Sequence, residues 1–155
     1  MIRSSIKYAA VLLALACLLA ADGCARIRGQ RVDEAESPTA PVSADVEGGF
    51  KLVWATVRNV LRNSPVEIYT RDKRGTFEVF EDKGRAFLTP RRLRLVITLR
   101  PVSQTRTHIT VETFPEAYTI QLLTSPAWRT ADFGDNSLAK EILNSVQERI
   151  RDAKG

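Results

Sequence analysis

The sequence predicts an α+β domain, an antiparallel sheet of about 4–6 strands with two amphipathic helices packed on one face. Three observations lead there. Apolar residues recur at helical spacing in two stretches, Phe50 to Leu61 and Leu138 to Ile150, that bracket everything between them. Inside that bracket the spacing changes to strict alternation, clearest where Leu93, Leu95, Ile97 and Leu99 interleave with Arg94, Val96, Thr98 and Arg100. Clusters of Gly, Asp, Asn and Pro interrupt the alternation at hairpin intervals.

What precedes the domain has a different character. Arg3 and Lys7 give a basic start, Tyr8 to Ala21 form an uncharged apolar run, and Asp22-Gly23 lead into Cys24. The run is about 14 residues, short of the ~18 a spanning helix needs, so residues 1–23 read as an export signal. The arrangement resembles a bacterial lipoprotein signal, which implies that the Cys24 thiol is acylated, palmitate being the usual kind of chain, and becomes the first residue of the mature protein. Asp22 departs from the aliphatic and small residues usual before such a cysteine. Cys17, after Ala14-Leu15-Ala16, is a second candidate, but its use would leave Leu18-Leu19 exposed. An unlipidated secretory signal and an uncleaved anchor are the other readings of this segment.

Residues 24–45 carry no aromatic side chain, almost no large apolar one, and Pro38 and Pro41. Such a stretch cannot bury enough surface to order itself. It is expected to be a flexible tether spanning roughly 25 Å end to end, with the domain at residues 46–151 and a short tail at 152–155. The formal charge of +5 falls to +4 when Arg3, Lys7 and Asp22 leave with the signal. In an exported chain that excess points to anionic head groups or envelope polymers, not to nucleic acid. The only cysteines are Cys17 and Cys24, so the domain has no disulfide to form and is held by its apolar core.

Within the domain the first helix places Phe50, Val53, Trp54, Val57, Val60 and Leu61 on one stripe, and Pro65 stops it. Trp54 on this stripe is expected in the core. Strands follow at Val66 to Thr70 and Thr76 to Phe80, joined by a turn in which Gly75 can take a positive φ. Asp82-Lys83-Gly84 signals a further turn before a short strand, Ala86 to Leu88, that Pro90 ends. Leu93 to Arg100 and Thr107 to Phe114 form the longest hairpin. A last strand, Tyr118 to Leu122, follows Pro115, and Ser125 to Asn136 reads as an irregular loop. The closing helix carries Leu138, Ile142, Leu143, Val146 and Ile150 inward, with Asp135, Asn136 or Ser137 as its cap.

Chemistry-bearing motifs are sparse. His108, the single histidine, falls on the outward parity of a strand with no ligand cluster near it in sequence, so no metal site is predicted. Glu78, Glu81, Asp82, Glu112 and Glu116 read as the polar face and turns of a sheet. The domain holds no glycine-framed serine and no phosphate-binding glycine loop, and no catalytic residue or cofactor is predicted. Arg71, Lys73, Arg74, Lys83, Arg85, Arg91 and Arg92 fall in turns and strand ends, either as a solvated rim or gathered at one end of the sheet. Trp128 and Phe133 either cap the core or contact a partner, since aromatics are enriched at interface hot spots. The candidate partner-binding residues are therefore Trp128, Phe133, Arg91 and Arg92.

The helix beginning Phe50-Lys51-Leu52-Val53-Trp54, the strand Leu93 to Leu99, the Trp128 loop and the helix beginning Ala139-Lys140-Glu141-Ile142-Leu143 resemble the repeated domain of small envelope lipoproteins. Among these is a lipoprotein component of the outer-membrane β-barrel assembly machinery. The resemblance covers about residues 46 to 151 and implies a helix-grip-like domain without catalytic residues, although a single copy is present here where that component has two. The expectation is a non-enzymatic, lipid-anchored protein facing the periplasm that binds an envelope protein partner. The second reading is a module that takes a lipid or glycan in a groove between sheet and helices.

Overall fold

Alternation in the sequence becomes one six-stranded antiparallel sheet. A computed structural model describes residues 39–121 and 124–153; Cys17, Cys24 and the predicted signal lie outside them. The elements in chain order are β1 (Val42–Glu47), α1 (Phe50–Arg62), β2 (Glu67–Asp72), β3 (Thr76–Ala86), β4 (Thr89–Ser103), β5 (Arg106–Thr119), β6 (Ala127–Thr130) and α2 (Ser137–Asp152). The spatial order is β1-β5-β4-β3-β2, and β6 pairs with the same edge of β5 further along. The α+β architecture, with both helices over one sheet face, is as the sequence predicts.

The core forms where the two periodicities meet. Val53, Val57, Val60 and Leu61 from α1 and Leu138, Ile142, Leu143, Val146 and Ile150 from α2 pack on Phe77, Val79, Leu93, Leu95, Ile97, Leu99, Ile109 and Val111. These strand residues share one parity, so a single sheet face is buried. Trp54 is half-buried at the margin; its ring centroid lies 5.4 Å from that of Phe77 and its indole N–H donates to the Asp72 carbonyl at 3.1 Å. Thr107, a polar residue on the core parity of β5, is satisfied by donating to the Gly48 carbonyl at 2.9 Å.

Four expectations require correction. Val42 to Asp45, expected to belong to the tether, lie in β1, which pairs with β5 from Val42↔Val111 to Glu47↔Arg106 and buries Val46. The turn expected at Asp82-Lys83-Gly84 is an irregularity within β3. Asp82 Oδ1 accepts the Gly84 N–H at 2.7 Å, Gly84 takes φ +70°, the register shifts between Asp82 and Arg85, and the strand continues to Ala86. The true turn is Phe87-Leu88, and Pro90 lies inside β4. Pro115 does not divide β5: its carbonyl accepts the Ala131 N–H at 2.9 Å, so its backbone polar side points away from β4 and the missing N–H costs the central ladder nothing. Finally, the loop expected at Ser125 to Asn136 contains a paired strand, β6.

Gly75 shows how tightly the β2–β3 turn sits on β4. It takes φ +115°, its carbonyl accepts the Leu99 N–H at 2.7 Å, and a Cβ there would meet the Leu99 carbonyl oxygen at 2.6 Å. Gly75→Ala is expected to lower stability by about 1–3 kcal/mol through φ strain and this clash, read as a fall in the midpoint of thermal unfolding. At the start of α2, hydrogen bonds from Ser137, including its N–H at 2.9 Å, hold the Asp135 carboxyl below the usual carboxylate range.

Candidate functional site

The strand parity that does not enter the core carries the site. On the helix-free face, β3 presents Glu78, Phe80 and Asp82, β4 presents Arg92 and Arg94, and β5 presents Phe114, Glu116 and Tyr118. β6 adds Trp128 beside Tyr118, and β2 adds Glu67 and Tyr69. Between β2 and β6 this face is a groove of about 960 Å³, lined by Tyr69, Phe80, Arg85, Arg91, Arg92, Arg94, Glu116 and Trp128 among others. A second depression, of about 690 Å³, lies at the start of α1 against the β4–β5 hairpin, beside Leu52 and Pro101.

Arg92 organises the groove. Its guanidinium lies 4.1 Å from the ring centroid of Phe80 and 4.1 Å from that of Trp128, a cation held between two aromatic rings. The row extends outward on both sides: Tyr69 meets Phe80 edge-on at 5.6 Å, and Tyr118 meets Trp128 edge-on at 5.4 Å. Arg94 lies 4.2 Å from the ring centroid of Phe114. Beneath the row sits Glu116, only 9% exposed. Its Oε2 accepts Arg92 Nε–H at 2.7 Å and its Oε1 accepts Arg94 Nε–H at 2.8 Å, while Glu78 lies 3.7 Å from the other side of Arg94. Each Glu116 oxygen is thus matched to one guanidinium, which fixes both planes.

Arg92 and Trp128, predicted as partner-binding, are therefore brought into direct stacking. Arg91 and Phe133 are also brought together, with 4.9 Å from guanidinium to ring centroid, but Phe133 packs against the buried core, so this pair seals the core margin. The basic residues do not gather at one end of the sheet. Arg71, Lys73 and Arg74 surround the β2–β3 turn, whereas Lys83, Arg85, Arg91 and Arg92 lie toward the β3–β4 turn. Arg58 on α1 is held below its ordinary pKa by the neighbouring Arg62 charge. His108 is half-exposed and pairs with Asp45 at 2.7 Å. Among the described residues no group of three or more His, Cys, Asp or Glu side chains is placed to hold a metal ion, and no helix is long and apolar enough to cross a membrane.

Sequence reasoning missed Phe80, Tyr69, Arg94, Phe114 and Glu116 as members of one site. The signal was parity. Phe80 sits on the polar side of a strand whose core residues are Phe77 and Val79, and Phe114, Glu116 and Tyr118 keep one phase across Pro115.

No protein-family model matches the chain, and no curated protein sequence matches it. Among solved structures it is similar to a TBP-like protein from Parabacteroides distasonis, at 13% identity and a TM-score of 0.43, over 72% of this chain and 97% of that one. A conserved protein from Geobacillus kaustophilus is similar at 10% identity and a TM-score of 0.37, over 73% and 95% of the two chains. The di-domain aromatase/cyclase StfQ from the steffimycin biosynthetic pathway is similar at 21% identity and a TM-score of 0.37, over 74% of this chain and 44% of that one. Similarity at this level assigns no activity, and the functional reading rests on the groove itself.

Proposed function

We propose that this chain is a non-catalytic binding module, held at the envelope membrane through acylated Cys24, that takes an envelope protein partner on the helix-free face of its sheet. The observation that carries the reading is Arg92 fixed between Phe80 and Trp128 with its Nε–H on Glu116. A guanidinium and aromatic rings ordered before binding lose little conformational freedom when a partner arrives, and Arg, Trp and Tyr are the residues in which interface energy concentrates. Both Glu116 oxygens are committed to arginines, which suits a recognition surface better than acid–base chemistry.

The test is cross-linking in intact cells followed by mass spectrometry, comparing the parent with Cys24→Ser and Trp128→Ala. A protein recovered with the parent and reduced about tenfold or more by Trp128→Ala is the expected result, since a central aromatic anchor is worth about 2 kcal/mol or more. Recovery of no protein in any form would overturn the reading. A mature amino-terminal peptide without lipid mass would refute the anchor separately.

A lipid or glycan ligand is the second reading, favoured by the aromatic lining of the groove. Its place shifts from the one the sequence indicates: the space between sheet and helices is filled by fully buried side chains such as Leu61, Phe77, Leu95 and Val146, and the aromatic-lined groove is on the opposite face.

A further inference from the structure

The β3–β4 turn exposes what a soluble domain usually hides. Phe87 is 102% exposed and Leu88 88%, at the end of a hairpin formed by two of the longest strands. Phe87 is moreover the one non-glycine residue with positive φ among those described, at 55°, a strained setting for a bulky side chain. The β4–β5 register pairs Arg91 with Ala117, and continuing it brings Ile120, 77% exposed, level with Leu88. Three large apolar side chains thus project from one end of the sheet. Behind them stand Arg85 and Arg91, neither of which is paired with a carboxylate among the described residues, whereas Lys83 is held by Glu81 and Arg92 by Glu116.

The chain from the amino terminus enters the sheet part-way along its length. β1 starts at Val42, opposite Val111 and therefore level with Ile97, and runs away from the Phe87-Leu88 turn toward Arg106. From that level to the turn is about eight residues of β4, about 26 Å at the rise of a strand. The part of the expected tether that precedes β1, residues 24–41, would reach a similar distance, roughly 23 Å as a coil. A chain anchored at Cys24 therefore has its apolar tip within reach of the surface that holds the anchor.

We propose that Phe87, Leu88 and Ile120 form a second membrane contact, seated in the interface of an anionic bilayer with Arg85 and Arg91 at the level of the phosphates. Apolar residues at a tip with cations one strand-turn behind match the order of acyl chains and head groups at a membrane surface. The contact would orient the domain, holding the strands steeply to the bilayer. It relies on the proposed function only for anchorage at the amino-terminal end; of the groove's lining it uses Arg85 and Arg91, and not Arg92 or its aromatic stack.

The test places the full chain in vesicles containing phosphatidylglycerol and phosphatidylcholine brominated on the acyl chains, so that the amino-terminal segment holds every variant at the membrane. Emission from a tryptophan at the tip, Leu88→Trp, minus that of the parent is expected to fall about twofold or more, while Gln104→Trp, at the hairpin on the opposite end, is spared. Arg85→Glu combined with Arg91→Glu should remove most of the tip quenching, as should phosphatidylcholine alone. Phe87→Asn, which tolerates positive φ, tests the side chain with the turn kept: in the Leu88→Trp background it should weaken quenching without changing the circular dichroism spectrum. Equal quenching at residues 88 and 104, or none at residue 88, would overturn the proposal. So would a photo-cross-linker at residue 88 that captures a protein in intact cells while the vesicles show no quenching. Loss of partner recovery in the groove test leaves this result untouched, so the two readings fail independently.

Discussion

Truncating Phe77 to alanine is expected to lower the unfolding free energy by about 3–5 kcal/mol, a large part of the roughly 5–15 kcal/mol typical of a small domain. Phe77 has no exposed surface, lies on the core face of β3 opposite Ile97, and carries Trp54 on its ring. Its removal leaves a cavity where α1 meets the centre of the sheet, and no disulfide is available in the domain to compensate. Urea unfolding followed by circular dichroism measures the effect. Phe80→Ala is the internal control: the same residue type in the same strand, on the opposite face, half-exposed and bounded by Arg92 and Tyr69. Its cost should be smaller by about 2 kcal/mol or more, because little cavity is created. Equal losses for the two would mean that the helix-free face is as tightly packed as the core, which the groove argues against.

The second large effect is expected at Glu116. Removing its carboxylate leaves Arg92 and Arg94 facing one another without the charge that separates them. Breaking a buried pair costs about 3–5 kcal/mol, but these arginines keep about a quarter of their side-chain surface in water, so about 1–3 kcal/mol is expected for Glu116→Ala. A double-mutant cycle between Glu116→Gln and Arg92→Gln should give a coupling of about 1 kcal/mol or more, additivity failing because the two groups share hydrogen bonds. A coupling under about 0.5 kcal/mol would show that the aromatic rings alone hold Arg92. In the partner-recovery experiment Glu116→Gln should behave like Trp128→Ala, since both release Arg92 from its stack.

Long, regular periodicity made the two helices and the β4–β5 hairpin legible. The stripes of α1 and α2 run through several turns, and the alternation of β4 continues for four core residues without a break. Short or interrupted strands were less so. β6 is four residues and β1 six, too few for alternation to stand out, and both are ordered by the pairing edge that β5 offers. Pro115 misled because a proline usually ends a strand, yet here its backbone polar side faces Ala131. Once β5 is divided at that point the phase linking Phe114, Glu116 and Tyr118 is lost, and with it the reason to place Glu116 under Arg92. Charged residues near one another in space but 22 to 24 positions apart in sequence leave no local pattern. Arg92 and Trp128 could be singled out by type; what joins them could not.

The antiparallel seating of β1 against β5 has a mechanical side. A load applied along the axis of β1 would act in the plane of its ladder from Val42↔Val111 to Glu47↔Arg106. The cross-strand bonds then resist together, as in a lap joint, and the strand must slide past its neighbour before any of them is released. Load applied across the strand would part the same bonds one after another. Val46 in the core and the Asp45 pairing with His108 further oppose such sliding, because a one-residue slip would turn Val46 out to solvent. A strand of only six residues can in this way withstand tension that would peel it away from the side.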